Sequence, residues 1–160
     1  QRGVTDPAAL LFGLNRALWG NLDRHFVTAI ALSIDLERRL LCLASAGHPP
    51  LLIHRAPNTS FYSARGRVIG LVEEAYYSKL EVQLEPGDML VVYTDGLTEA
   101  RAPSGDLYGE DRLSAFIETH SHLSSDDLAE ALEQDVVQFA GETLDDDLAL
   151  IVIQIDPKVN

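Results

Sequence analysis

Two groups of carboxylates, each set against an apolar run, are the residues here best equipped for chemistry. The first is Asp95, which follows Met89-Leu90-Val91-Val92-Tyr93-Thr94 and is itself followed by Gly96. The second is the triplet Asp145-Asp146-Asp147, which precedes Leu148-Ala149-Leu150-Ile151-Val152-Ile153. Short apolar runs bounded by turn formers read as buried strands. Asp95 is then expected at the carboxyl end of a core strand, where a charge is costly unless something neutralises it. Alone, Asp-Gly is a common turn dipeptide, and three adjacent acids read as a solvated loop. Together, at the ends of two strands, they suit a site for hard cations such as Mg²⁺ or Mn²⁺ rather than zinc.

Other polar residues carry weaker signals. His48, in Ala46-Gly47-His48-Pro49-Pro50, could bring an imidazole near the acids, but the proline pair equally marks a hairpin corner. His120 and His122 have no cysteine nearby and read as surface residues rather than a zinc pair. Ser124 and Ser125 fit helix caps better than nucleophiles, since no histidine-plus-acid pattern surrounds them. Cys42, the single cysteine, lies in Leu40-Leu41-Cys42-Leu43 and reads as a small buried hydrophobe. Gly47, Gly66 and Gly70 lack the spacing of a phosphate-cradling loop.

The 160-residue length fits one domain, and 46% hydrophobic with 23% charged residues is ordinary for a globular protein. The 25 acidic against 12 basic residues give a formal charge of −13. Such a surface repels phosphate backbones and argues against nucleic-acid binding. No apolar run approaches the roughly 20 residues of a membrane-spanning helix, and no secretory leader is visible. A soluble, cytoplasmic domain with no membrane partner is expected.

The elements that must position the acids can be read in order. Asp6-Pro7 opens a helix running to Leu22, with Leu10, Leu11, Leu14, Ala17, Leu18 and Leu22 on one face and Trp19 flanking it. Phe26 to Asp35 and Arg39 to Ser45 read as strands; the first is apolar on both faces and should be central and covered twice. Leu51-Leu52-Ile53 is a further strand, followed by a polar loop from Ala56 to Ser60. Phe61-Tyr62 and Tyr77 to Leu84 give weaker strand signals. Pro86-Gly87-Asp88 turns the chain into the Met89 strand. Beyond Asp95, Leu97 to Ala100 makes a helical turn, and Glu110 to Thr119 a short helix with Leu113, Phe116 and Ile117 inward. Ser124 and Asp127 have capping-box spacing. Leu128, Leu132, Val136 and Phe139 mark a longer helix ended by Gly141. Leu148 to Ile155 closes the chain as a strand. Strands followed by helices imply an α+β domain with largely antiparallel sheets.

Several of these segments, taken in order, carry a family resemblance. They are Ala46-Gly47-His48-Pro49-Pro50, Pro86-Gly87-Asp88 with Tyr93-Thr94-Asp95-Gly96-Leu97-Thr98-Glu99-Ala100, Tyr108-Gly109-Glu110-Asp111-Arg112-Leu113, and Asp146-Asp147 before the last strand. Phe26-Val27-Thr28-Ala29 and the first helix fit as well. The chain resembles the bacterial sporulation-E-like branch of the PPM, or protein phosphatase 2C type, metal-dependent serine/threonine phosphatases. The resemblance spans nearly the whole chain. It implies an αββα sandwich in which carboxylates at the sheet ends hold two Mn²⁺ or Mg²⁺ ions. It further implies that a metal-activated water attacks a phosphoserine or phosphothreonine, with no phosphoenzyme. Asp95 and Asp146 match metal ligands of the family; Gly96, Asp147 and His48 are candidates for supporting roles. The implied substrate is a phosphorylated anti-sigma-factor antagonist or similar signalling protein.

Two departures from the family pattern stand out. The family carries an Asp-x-x-Gly-His/Lys-Gly segment ahead of the first helix, whose Asp bridges the metals, and Gln1 to Thr5 do not supply it. The chain is therefore expected to be the larger, N-terminally incomplete part of the domain, inactive alone. Either the parent protein continues upstream, with a sensory or receiver domain, or the segment is separated from its catalytic half. Ala149 stands where the family usually has Thr, and Asp145 adds an acid. The competing expectation is a catalytically silent module of the same fold that docks a signalling partner.

Overall fold

Capping chemistry fixes where the helices begin in the computed structural model, which describes residues 6–23, 25–141 and 144–156. Gln1 to Thr5, where the family's bridging motif was sought, lie outside the described residues. Asp6 accepts from the amides of Ala8 and Ala9 at 3.0 and 3.3 Å, opening α1 (Pro7–Leu18). A hydrogen bond from Lys79 at 3.0 Å, then those amides, hold the Asp6 carboxyl below its ordinary range. The other elements are β1 (Ala29–Asp35), β2 (Leu40–Ala46), β3 (Leu51–Arg55), β4 (Asn58–Tyr62), β5 (Leu80–Gln83), β6 (Met89–Tyr93), α2 (Asp95–Thr98), α3 (Gly109–His120), α4 (Ser125–Ala140) and β7 (Leu150–Gln154). The expected class, α+β with antiparallel sheets flanked by helices, is the one observed.

The chain divides into two compact units, one built from 6–50 and 63–85, the other from 51–62 and 86–156. In the first, β1, β2 and β5 form an antiparallel sheet in that order, and α1 packs on β1 and β2. Its core gathers Leu11, Ala31, Ala44, Ala46, Ile69, Ala75 and Tyr77. The expectation for β1 needs correcting: it is an edge strand among the described residues, and Ala31 alone in it is buried. β2 holds the centre instead, with Leu41, Leu43, Ala44 and Ala46 fully buried. Two adjacent apolar runs of similar length do not reveal which one has neighbours on both sides. Cys42 is only partly buried, and that burial raises its thiol pKa, so it is a poor nucleophile.

The helical face of α1 also differs from the apolar pattern. Leu10 and Leu14 are exposed, while Leu11 and Asn15 are buried. Asn15 is the key: its amide donates to the carbonyls of Val72 and Glu73, both at 3.0 Å, and its Oδ1 accepts from Gly70 N–H at 2.9 Å. A polar residue with three such bonds competes with leucine for the inward position because the 70–73 backbone would otherwise lack partners.

In the second unit the sheet order is β4, β3, β6, β7, all antiparallel. The expected polar loop at Ala56 to Ser60 is only the turn Ala56-Pro57, and Asn58 to Ser60 belong to β4. β4 is polar because it is a half-exposed edge strand. β6 is the apolar strand expected, with Met89, Leu90, Val91 and Tyr93 at most 1% exposed. α3 and α4 bury Leu113, Ile117, Leu128, Leu132, Val136 and Ala140 into one core with Leu52, Val91 and Tyr93. The Ser124 Oγ accepts from Asp127 N–H at 3.2 Å and donates to the Asp127 carboxylate at 2.7 Å, as its spacing implied. Gly141 ends α4 at φ +77°, a left-handed conformation that other residues adopt at a cost. Among the described residues no helix is long and apolar enough to cross a membrane.

The Asn15 bonds make a first test. Replacing Asn15 with alanine is expected to lower the unfolding free energy by about 2–4 kcal/mol, because the three backbone groups lose their partner. Urea titration measures this. A change under about 0.5 kcal/mol would mean that the 70–73 segment finds other partners.

Candidate active site

The register of β6 and β7 decides which residues meet beyond the strand ends. Tyr93 pairs with Leu150, so the next residue, Thr94, falls opposite Ala149. Thr94 N–H donates to Ala149 O at 3.0 Å, and Ala149 N–H donates to Thr94 Oγ1 at 2.9 Å. The Thr94 hydroxyl in turn donates to Asp147 O at 3.1 Å. On the next residue but one, Gly96 is buried against the same segment: a Cβ there would lie 2.5 Å from Asp147 O and 3.5 Å from the Asp146 carbonyl carbon. The residues Thr94-Asp95-Gly96 and Asp146-Asp147 are thus in direct contact.

Asp95 opens α2, with its side chain exposed. This corrects the expectation of a buried charge: the chain turns into α2 directly after Thr94, so the carboxylate faces water. Asp145, Asp146 and Asp147 are exposed too. Asp146 accepts from Asp147 N–H at 2.8 Å, which fixes its side chain locally. Ala149 joins Thr94 through its main chain alone, so the departure from the usual Thr at that position leaves these bonds intact. Among the described residues no three histidine, cysteine, aspartate or glutamate side chains converge as a metal site. Asp95 and Asp146 stand on touching segments as exposed carboxylates, oxygen donors of the hard kind that a divalent cation takes but fewer than its full number.

His48 lies in the first unit, at the corner after β2. Its N–H donates to Ser45 Oγ at 3.2 Å, and the same hydroxyl donates back to His48 O at 3.3 Å. Those bonds shape the corner. His120 stacks on Phe116 at 4.1 Å and bonds the Phe116 carbonyl at 2.9 Å, which is packing.

Two features escaped the reading of motifs. One is Thr94 itself, a polar residue closing an apolar strand. The other is Asp88, which the Pro-Gly-Asp turn concealed. It is 1% exposed and bidentate with Arg55: Nε to Oδ1 at 2.8 Å and an Nη to Oδ2 at 2.7 Å. An acid directly ahead of a buried strand was the available signal. Tyr93, whose hydroxyl has no partner among the described residues, has its pKa pushed well up by burial. It is no acid or base near neutrality.

A family model described as Stage II sporulation protein E (SpoIIE) matches residues 2–156. The chain belongs to the SpoIIE branch of the PPM phosphatase family. Within that family it is 31% identical over 151 residues to phosphoserine phosphatase RsbU of Bacillus subtilis, covering 92% of this chain and 45% of RsbU. The SiaA-PP2C domain of Pseudomonas aeruginosa superposes with a TM-score of 0.82 at 26% identity, over 94% of this chain and 61% of that one. The phosphatase domain of SpoIIE from Bacillus subtilis shares the fold, with a TM-score of 0.66 at 19% identity over 98% and 70%. The chain thus spans less than half the length of RsbU. The sandwich fold and the branch implied by the ordered motifs are both those of the family.

Removing one member of the Asp88–Arg55 pair should be asymmetric. Arg55 is 39% exposed at its side chain and can turn to water, whereas Asp88 is buried. Arg55→Ala is therefore expected to cost about 1–3 kcal/mol, the loss of charge-assisted hydrogen bonds to a buried carboxylate, and Asp88→Ala less. Denaturant unfolding of both variants gives the order; the reverse order would show that the pair is not what holds Asp88 in place.

Proposed function

We propose that this chain is the larger part of a metal-dependent phosphoserine/phosphothreonine protein phosphatase domain. The observation that carries the reading is the junction of Thr94-Asp95-Gly96 with Asp146-Asp147, which sets carboxylates from two strand ends on touching segments. Membership in the SpoIIE family and the likeness to a named phosphoserine phosphatase support the reaction class.

In this reading Asp95 and Asp146 hold Mn²⁺ or Mg²⁺, while Gly96 and Asp147 support them by shape and backbone. When bound, two divalent ions supply a water of lowered pKa and screen the charge of the phosphoryl group. The chain's own acids do the holding: hard, exposed oxygens suit such ions, and two carboxylates leave positions for water and substrate. Their exposure lets a phosphorylated side chain on a folded partner approach. Without cations the approach would be opposed, since Asp95 and the triplet Asp145–Asp147 belong to a chain of net charge −13. In this proposal a further acid, supplied by a segment of the parent protein outside this chain, would complete the set. That parent is cytoplasmic, carries a sensory or receiver domain, and acts on a phosphorylated anti-sigma-factor antagonist or similar signalling protein. His48 serves the corner after β2 rather than the reaction.

A second reading keeps the fold but not the chemistry: a silent module that docks a signalling partner. The lack of a third converging acid among the described residues favours it. Phosphopeptide hydrolysis in Mn²⁺ separates the two, measured on the 160-residue chain and on the chain extended upstream. The expected result is turnover by the extended chain, silence from the short one, and a loss of about 10²-fold or more in kcat for Asp95→Asn or Asp146→Asn in the extended form. Silence from the extended chain would favour the docking module. Robust turnover by the short chain would mean the site lies elsewhere.

His48→Ala is expected to lower the melting temperature of the extended chain while leaving kcat near that of the parent. A large fall in kcat at an unchanged melting temperature would place the imidazole in the reaction.

A further inference from the structure

The segment 144–149 carries Asp146 yet has no ladder of its own before Leu150, and its three acids are exposed. Something must hold it. Among the described residues the one side chain from elsewhere that hydrogen-bonds to it is Thr94, which accepts from Ala149 N–H at 2.9 Å and donates to Asp147 O at 3.1 Å. Both bonds reach main-chain atoms, so they fix the path of the backbone on either side of Leu148. Asp146 adds a bond to the next residue's N–H at 2.8 Å, tying its carboxylate to that path. From the other side, Gly96 leaves room for the Asp147 carbonyl, since a Cβ on it would lie 2.5 Å from that oxygen. These are two independent constraints, one polar and one steric, on one exposed acidic segment.

We infer that Thr94 is a positioning residue, whose hydroxyl sets the path of the segment that carries Asp146 along the segment that carries Asp95, with Gly96 supplying the space. The inference rests on the proposed metal-holding role of those two acids. Its chemistry is specific to a hydroxyl. One oxygen must accept from an amide and donate to a carbonyl at once, which serine can do and valine, of the same shape as threonine, cannot. Groups that orient a metal ligand govern affinity without touching the metal.

The test uses Mn²⁺ itself on the chain extended upstream, with free ion followed by electron paramagnetic resonance and with hydrogen exchange at the Ala149 amide read on the metal-free protein. Thr94→Val is expected to raise the Mn²⁺ Kd by about 10-fold or more, in the range seen when a ligand-orienting group is removed. It is also expected to speed exchange at Ala149. Thr94→Ser should restore both. Gly96→Ala should weaken Mn²⁺ binding while Thr94 stays intact, because the added methyl displaces the Asp147 carbonyl. Unchanged Kd in Thr94→Val, with the unsubstituted chain binding Mn²⁺, overturns the inference and leaves the metal site standing. So does equal weakening in the serine and valine variants, which would assign the effect to packing of the methyl group. Absence of Mn²⁺ binding by the unsubstituted extended chain at tens of millimolar sinks the metal site, and the positioning role with it.

Discussion

The antiparallel register between β6 and β7 is the constraint from which the candidate site follows. Side chains alternate faces along a strand, so a slip of one residue would move every side chain of β6 to the opposite face. Met89, Val91 and Tyr93 pack into the core with α3 and α4 while Leu90 is buried on the other face, so a slip would force each set into space shaped for the other. With Tyr93 held opposite Leu150, Thr94 must meet Ala149, and the acids beyond must lie on adjoining segments. The hydrophobic core therefore does the placing. At the other end of β6, Asp88 O accepts from Ile155 N–H at 2.8 Å and the Asp88 carboxylate takes the Arg55 fork, so the strand is pinned where it enters as well as where it leaves.

Much of this was legible in the residues. Runs such as Met89 to Tyr93 name themselves as strands because little else in a folded chain buries five apolar residues in a row. Ser124 with Asp127, Asp6 with Pro7, and Gly141 name helix ends because each satisfies a backbone group that the helix leaves open. What stayed hidden depended on partners distant in sequence. Asn15 looks like a flaw in an apolar stripe until the carbonyls of Val72 and Glu73 are set against it. Asp88 looks like a turn residue until Arg55 arrives from β3. β1 looks central because its apolar content exceeds what an edge strand needs. β4 looks like a loop because its polar residues lie on a sheet edge. For the site, the carboxylates themselves could be read, but the hydroxyl that joins their segments could not, since a threonine in a strand is usually just a β-branched residue.

The exposure of Asp95 changes the electrostatic argument made from the sequence. A buried carboxylate cluster would need a cation in order to fold at all, since unit charges about 4 Å apart repel by about 4 kcal/mol at an effective dielectric of 20. In water the same pair repels by only about 1 kcal/mol, and salt screens it further. Asp95, Asp145, Asp146 and Asp147 all face solvent, so the fold tolerates them without a metal. What places them is uncharged: the β6–β7 register, the Thr94 hydroxyl and the space at Gly96. Acids assembled at little cost to folding, on a framework that does not depend on the ion, are available to bind one reversibly. Under the proposed function, ion binding is then separate from folding, whereas a structural metal site ties the two together.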